Sequence, residues 1–432
     1  MRSNIIIILF VLQSLSGKAQ ELLSLQSAVD TALAKNLQIQ IVRNELEIAG
    51  NNNNAGNAGM LPSVALNIGD TPANSNIRQE FLNGTTIERD GVASNNFNAQ
   101  LALSMTLYDG GRMFATRERL KELEMMGSLA VNAEIQNLIS NVINAYIRII
   151  AGEKYLAVLT RSLEVSEDRY ELIKFRKEAG MANESDVLLA QLDFEQSQQA
   201  IVAQQLQINN AFVDLNTLMG IAADRKYKVE ESIELDGILI RAELDNKFDA
   251  NPELKMSESA INIALHAEKE AASSMYPRLG LSAAYGYSLS QSQAGFSLYS
   301  QNYGPAATLT LSVPLFSGNV NRIRHENAII EKKNAELRHQ QNELFLKAQY
   351  EKAWELYNTS SANVLKEEAN VVIAEKYLDL INERLLAGQE TVINLREAQR
   401  SFEEANFRYV SQLILLKTAE TDLLRLSGSL LK

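Results

Sequence analysis

LALSMTLYDGGR at 101–112 and LTLSVPLFSGNV at 309–320 decide the fold. In the first, Leu101, Leu103, Met105 and Leu107 alternate with small or polar residues; in the second, Leu309, Leu311, Val313 and Leu315 do. That is the period of a strand with two unlike faces. Each stretch then reaches an aromatic and a glycine turn, Tyr108-Asp109-Gly110-Gly111 and Phe316-Ser317-Gly318. The aromatic suits a membrane interface, and glycine permits a sharp change from strand to helix.

Working outward, the whole chain repeats itself. MLP at 60–62 answers MYP at 275–277, and EAGMANESDVLLAQLDFEQ at 178–196 answers LAGQETVINLREAQRSFEE at 386–404. AFVDLNTLMG at 211–220 answers KTAETDLLRLSG at 417–428. A duplication this long is an architectural signal. Repeat one is expected over 20–220, with strands at about 62–70 and 97–108, and repeat two over 250–432, with strands at about 277–289 and 306–316. A connecting segment, 221–249, lies between them. Residues from Asp70 to about Asn96 read as a polar loop with turn signals.

The remaining pattern is helical. Leu25, Ala28, Val29, Ala32, Leu33, Leu37 and Ile41 predict one helix from Leu25 to Met60. The Asn-rich NNNNAGNAG at 51–59 is included, because its counterpart HAEKEAASS at 266–274 is good helix. Arg112–Glu178 and Val320–Ala387 each predict about 67 residues of helix, roughly 100 Å. Each stops at an Ala-Gly, 179–180 and 387–388, before a shorter helix returns over Asn183–Met219 or Glu390–Ser427. A returning helix plus a leading helix matches one long helix in length, so each repeat supplies one continuous column and one spliced column.

Composition narrows the function. Among 432 residues there are 6 prolines, no cysteine and a net charge of −12. Without a concentrated positive surface, no nucleic-acid partner is expected. Met1-Arg2, the apolar run Ile5–Leu12 and the small residues Gly17 and Ala19 predict a secretory signal over 1–19. No later run is long and apolar enough for a transmembrane helix, so a membrane-embedded part must be β-strands in a closed barrel. His266, His325 and His339 have no partner at metal or triad spacing and read as solvated surface groups. Neither an enzyme, a metal site nor a cofactor is expected. Trp354 reads as a helix-seam residue, and Tyr299 and Tyr303 as interfacial aromatics.

Four strands cannot close a membrane barrel, which needs about eight. Two, three or four copies would remove the free edges. The signal, the duplicated helix–strand–strand–helix–helix unit, LYDGGR, LFSGN and the AG-x(5)-DVLLAQ turn together resemble the TolC family of outer-membrane efflux proteins, across essentially the whole mature chain. The resemblance implies a mainly α fold with a small transmembrane β part: a homotrimeric α-helical barrel capped by a shared 12-stranded β-barrel. It implies an outer-membrane channel in lipid, its helices in the periplasm, passively conducting substrate from a periplasmic adaptor and inner-membrane pump.

Carried over residue by residue, Ala179, Gly180, Asp186, Ala387 and Gly388 would form the periplasmic tips that engage the adaptor. Asn394 and Glu397 match the family's acidic gate positions, one acid here being an amide. Asp186 and Glu397 also read as ordinary acids near helix N-termini. The rival reading is a soluble periplasmic coiled-coil scaffold or adaptor, which explains the long helices but not the four alternating segments.

Overall fold

The computed structural model describes residues 22–230, 238–295 and 297–430. The expected signal at 1–19 and part of the connecting segment lie outside them. In chain order the elements are β1 (Leu22–Leu23), α1 (Leu25–Lys35), α2 (Leu37–Asn52), β2 (Ser63–Glu80), β3 (Thr86–Tyr108), α3 (Arg112–Glu178) and α4 (Glu184–Leu218). Next come β4 (Lys228–Val229), α5 (Arg241–Asp245), a 3-10 turn (Phe248–Ala250), α6 (Pro252–Ser273), β5 (Arg278–Ser292), β6 (Tyr299–Ser312), α7 (Val320–Leu386) and α8 (Val392–Leu426).

The chain divides into two compact units. One takes in residues up to Asn44, Leu129–Lys255 and Gln341 onward; the other takes in Glu45–Ser128 and Met256–Gln340.

The helical unit explains how a column can be spliced. Asn36 and Asn251 occupy equivalent places in the two repeats and make the same bonds. The Asn36 amide donates to the Leu218 carbonyl at the end of α4 at 2.9 Å, while its Oδ1 accepts from the Gln38 and Ile39 N–H groups that start α2. The Asn251 amide donates to Leu426 at the end of α8, also at 2.9 Å, and its Oδ1 accepts from Glu253 and Leu254. One side chain thus serves the open carbonyls of a finishing helix and the open N–H groups of a starting one. This overturns the single leading helix expected from Leu25: Asn36 leaves helical geometry, with ψ near 129°, to reach both ends.

Tyrosines repeat the pattern in the connecting segment. The Tyr146 hydroxyl donates to Leu23 O at 2.7 Å and accepts from Glu230 N at 3.1 Å, and the Tyr357 hydroxyl accepts from Leu239 N at 3.1 Å. β1 pairs in parallel with β4, so the segment after α4 is stitched to Leu22 and Leu23, just ahead of α1. Trp354 sits half-buried against Tyr357, 5.9 Å between centroids, with the Arg241 guanidinium 5.7 Å from its ring.

The second unit holds one antiparallel sheet in the order β2-β3-β5-β6. Its strands differ from expectation in three ways. Residues 70–96 are mostly strand: β2 continues to Glu80 and β3 begins at Thr86, paired from Asp70↔Phe97 to Glu80↔Thr86. Polar sequence here marks a ribbon largely exposed on both faces, with Val92 buried within it. β5 and β6 likewise run further toward their hairpin, with β6 starting at Tyr299. At its other end β6 stops at Ser312 rather than continuing to Phe316, because Pro314 has no N–H to donate to the ladder.

Only the first two residues of NNNNAGNAG are helical. α2 stops at Asn52, and the asparagine side chains fold the backbone into turns: Asn54 Oδ1 accepts from Asn57 N at 2.8 Å, and the Asn57 amide donates to Asn52 O at 3.1 Å. Asn53 joins Arg117 and Glu124 on α3. Asparagine competes for backbone groups in this way, which the helical counterpart sequence cannot do. The histidines are half-buried rather than solvated; His339 Nδ1 lies 2.8 Å from Ser257 Oγ, and His266 Nδ1 is enclosed without a hydrogen bond.

Candidate functional site: a two-faced sheet and two helical tips

In an antiparallel ladder directly paired residues share a face, so the register sorts the sheet's two surfaces. One face carries the rows Leu279–Leu311, Met105–Leu281–Leu309, Val64–Leu103–Ala283–Ala307, Leu66–Leu101–Tyr285–Pro305 and Ile68–Ala99–Tyr287–Tyr303. The alternate rows read Ser63–Ser104–Ser282–Thr308, Ala65–Ala102–Ala284–Ala306, Asn67–Gln100–Gly286–Gly304 and Gly69–Asn98–Ser288–Asn302. The apolar band is therefore five rows tall, roughly 25–30 Å along the strands, the height of a bilayer's hydrocarbon core. Leu66, Ile68, Leu309 and Leu311 are each about two-thirds exposed, so nothing in the described chain covers this face.

Aromatics flank the band. Phe97 and Tyr287 meet edge to face at 6.2 Å toward the hairpin loops, and Tyr303 is exposed beside them. Tyr108, Tyr276 and Phe316 are exposed at the helix end. There Asp109 accepts from Met113 N at 3.1 Å and starts α3. Gly110 passes so close to the chain that a Cβ would lie 2.6 Å from Ser273 O. Gly111 and Gly318 complete the two turns.

In the helical unit the two tips close alike. Met181 N donates to Arg176 O at 2.7 Å across Gly180 (φ 76°), and Gln389 N to Arg384 O at 2.9 Å across Gly388 (φ 73°). Both use glycine where the left-handed backbone would strain any side chain, after Ala179 and Ala387. Beyond them the caps differ. Asn183 and Asp186 form a reciprocal capping box, bonds of 2.9 and 3.1 Å. Asn394 N donates to Thr391 Oγ1 at 3.3 Å, while Glu390 Oε1 accepts from the Asn394 amide at 2.6 Å and from Thr391 N at 3.0 Å. These two bonds hold the Glu390 carboxyl below its ordinary range.

Asn394 and Glu397 are both exposed. Glu397 acts on Arg400, which hydrogen-bonds Glu404 at 2.8 Å, so acid and base alternate along this face. Reading the sequence alone missed Glu390 and the cross-hairpin bond from Arg176 Nη2 to Leu385 O at 2.8 Å. An acid just before Thr391 at a helix start was the available signal for Glu390.

Among the described residues no helix is long and apolar enough to cross a membrane, and no cluster of three His, Cys, Asp or Glu side chains could hold a metal.

Comparison with known proteins fits these features. Over 81% of this chain and 73% of its own length, the pyoverdine export outer membrane protein OpmQ of Pseudomonas aeruginosa is 22% identical. The proteases secretion protein PrtF of Dickeya chrysanthemi is 21% identical over 95% of this chain and 91% of its own. A solved membrane protein from Pseudomonas aeruginosa superposes with a TM-score of 0.81 at 20% identity, covering 95% of this chain and 92% of that one. The Campylobacter jejuni CmeC outer membrane channel gives 0.79 at 17% identity, covering 94% and 85%. The family model described as outer membrane efflux protein matches residues 28–221 and 245–429, most of the sequence, and the chain belongs to that family.

Proposed function

We propose that three copies of this chain build the outer-membrane duct of a three-part export system. The sheet carries this reading. Its apolar face is uncovered, its other face is small and polar, and among the described residues β2 and β6 are paired on one side only. Joining β6 of one copy to β2 of the next removes every free edge, the condition for residence in lipid. Three copies give twelve strands around a water-compatible interior.

The helices supply matching seams. On α7, Ile323, Ile330, Leu337, Leu344, Leu365, Val372 and Leu386 are exposed and all fall in one heptad position. On α4, Leu188 and Val202 share one heptad position and Leu192, Leu206 and Val213 another four residues on, and all five are exposed. Seams with a 3.5-residue period suit packing against neighbouring helices of further copies.

The remaining roles follow from the same reading. The tips at Ala179, Gly180, Asp186, Ala387 and Gly388 face an adaptor that links the duct to an inner-membrane pump. Exposed Met181 and Ile393 give these tips apolar contact points. Asn394 and Glu397 line the narrow end. Cargo passes chemically unaltered and the pump supplies the energy. Relatives named for pyoverdine export and for protease secretion differ in cargo, so cargo choice lies outside this fold.

The test is fractionation followed by planar-bilayer recording. Detergent-extracted protein from outer membranes should give stepwise ohmic conductance. Recovery without detergent in the soluble periplasmic fraction, with no conductance, would favour a scaffold instead.

A further inference from the structure

The polar face of the sheet is uniform along its length except at one end. Its rows continue as Thr71–Asn96–Ser290–Ser300 toward the hairpin loops and as Thr106–Gly280–Thr310 toward the helices. From the first of these to the second, every side chain on the face is Ala, Gly, Ser, Thr, Asn or Gln. The next row toward the helices is Arg278–Ser312, the first residue of β5 paired with the last of β6. Arg278 lies two residues from Gly280 and on the side opposite Leu279, so it belongs to the polar face. There it is both the one charged residue of these rows and the longest side chain.

The surroundings leave that charge standing. Among the described residues Arg278 is exposed and forms no ion pair. Asp109, next along from the Tyr108 that pairs with Leu279, turns both carboxylate oxygens to Met113 N at 3.1 Å. Arg322 at the start of α7 is matched by Glu326 at 3.3 Å. At this end of the sheet the charged residues are Asp109 and Glu326 against Arg112, Arg278, Arg322 and Arg324. Basic groups exceed acidic ones here, the reverse of a chain whose net charge is −12. The first repeat has Ser63 where the second has Arg278, each directly after the proline of the matched tripeptide. Each copy therefore brings one such charge to the face.

We propose that Arg278 is a charge-selecting residue of the duct. Three copies set a ring of guanidinium groups at the helix end of the barrel, before an otherwise uncharged bore. The ring draws organic anions such as carboxylates, phosphates and sulfonates, and repels amines and other cations. Low-dielectric strand walls focus the field of a few charges along a narrow passage, and no second charged row on this face opposes it. The inference rests on the three-copy channel reading and adds a preference to its barrel; the ring does not choose the cargo, but favours anionic groups over cationic ones as they enter.

The chain has no cysteine, so Arg278→Cys can be given a charge of either sign after assembly. Full-length channels in a planar bilayer under a KCl gradient give the anion-to-cation permeability ratio from the reversal potential. Arg278→Cys should lower that ratio about threefold, the effect of losing about half a kT of potential on ions of opposite sign. A cationic thiosulfonate reagent should restore the wild-type ratio, and an anionic one should lower it further. Arg278→Lys should keep the wild-type ratio. The difference between wild type and Arg278→Cys should shrink as KCl approaches about 1 M, where charges are screened within about 3 Å. A ratio that stays unchanged in Arg278→Cys, before and after both reagents, overturns the ring and leaves a conducting channel intact. If neither Arg278→Cys nor Arg278→Gln assembles while Arg278→Lys does, the charge is structural and the ring is overturned as well. No conductance from the wild type sinks the channel reading, and the ring with it.

Discussion

α4 and α8 are the same element made twice: each has 35 residues, follows a glycine turn and ends beneath an asparagine bridge. Their burial differs. α8 buries fifteen residues and α4 eight. Leu395, Ala398, Phe402, Ala405, Leu416 and Leu423 of α8 fill two apolar clusters, with α7 in both and α3 in one. α4 instead leaves a heptad stripe of leucine and valine in the open. Duplication has preserved the backbone plan, while the side chains bury one copy more fully in the chain's own core and leave an apolar stripe of the other exposed.

The sharpest way to break this contrast is truncation. Leu423→Ala, at a fully buried site, should lower stability by about 2–5 kcal/mol in denaturant unfolding. Leu206→Ala on α4 is 60% exposed and should cost under about 0.5 kcal/mol within the chain, yet reduce recovery of the oligomer in detergent. Equal losses at both sites would erase the contrast. The splice should behave oppositely, as a shared feature: Asn36→Ala and Asn251→Ala should each cost about 1–2 kcal/mol in thermal unfolding, and by similar amounts.

The caps separate the repeats again, at smaller scale. Asn183→Ala removes one half of the capping box and should cost about 1 kcal/mol, seen as faster hydrogen exchange at Asp186 N–H. The smallest effect is pH-dependent. Glu390 is held below its ordinary value of 4.5, so its contribution is complete above that value and disappears as pH falls through the lower folded one. Protection of the Thr391 amide should weaken in acid, and Glu390→Gln should remove the pH dependence without affecting the Asn183 cap.

Much of the architecture was legible in the sequence because period is local. Alternation at 101–107 and 309–311, and unbroken helical spacing after Gly111 and Gly318, need only neighbouring residues. What was missed depends on partners distant in sequence. Asn36 fell inside the single helix expected from Leu25 and Asn251 at the start of the second repeat, and nothing local shows that their amides finish helices at Leu218 and Leu426. Asp193 lies within the repeated block at 178–196, and nothing local shows that α3 places Arg169 3.0 Å from it. The Asn-rich turn was misread through its helical counterpart, and the polar half of β2 lacked the apolar face that marks a strand.

Single-particle imaging of the detergent-extracted, full-length protein tests the central claim most directly. A three-fold particle with twelve strands closed around one lumen, the Val64–Leu66–Ile68 face outward, is the expected result. A particle in which the four-stranded sheet stays open, or one recovered as a detergent-free monomer, would contradict the account.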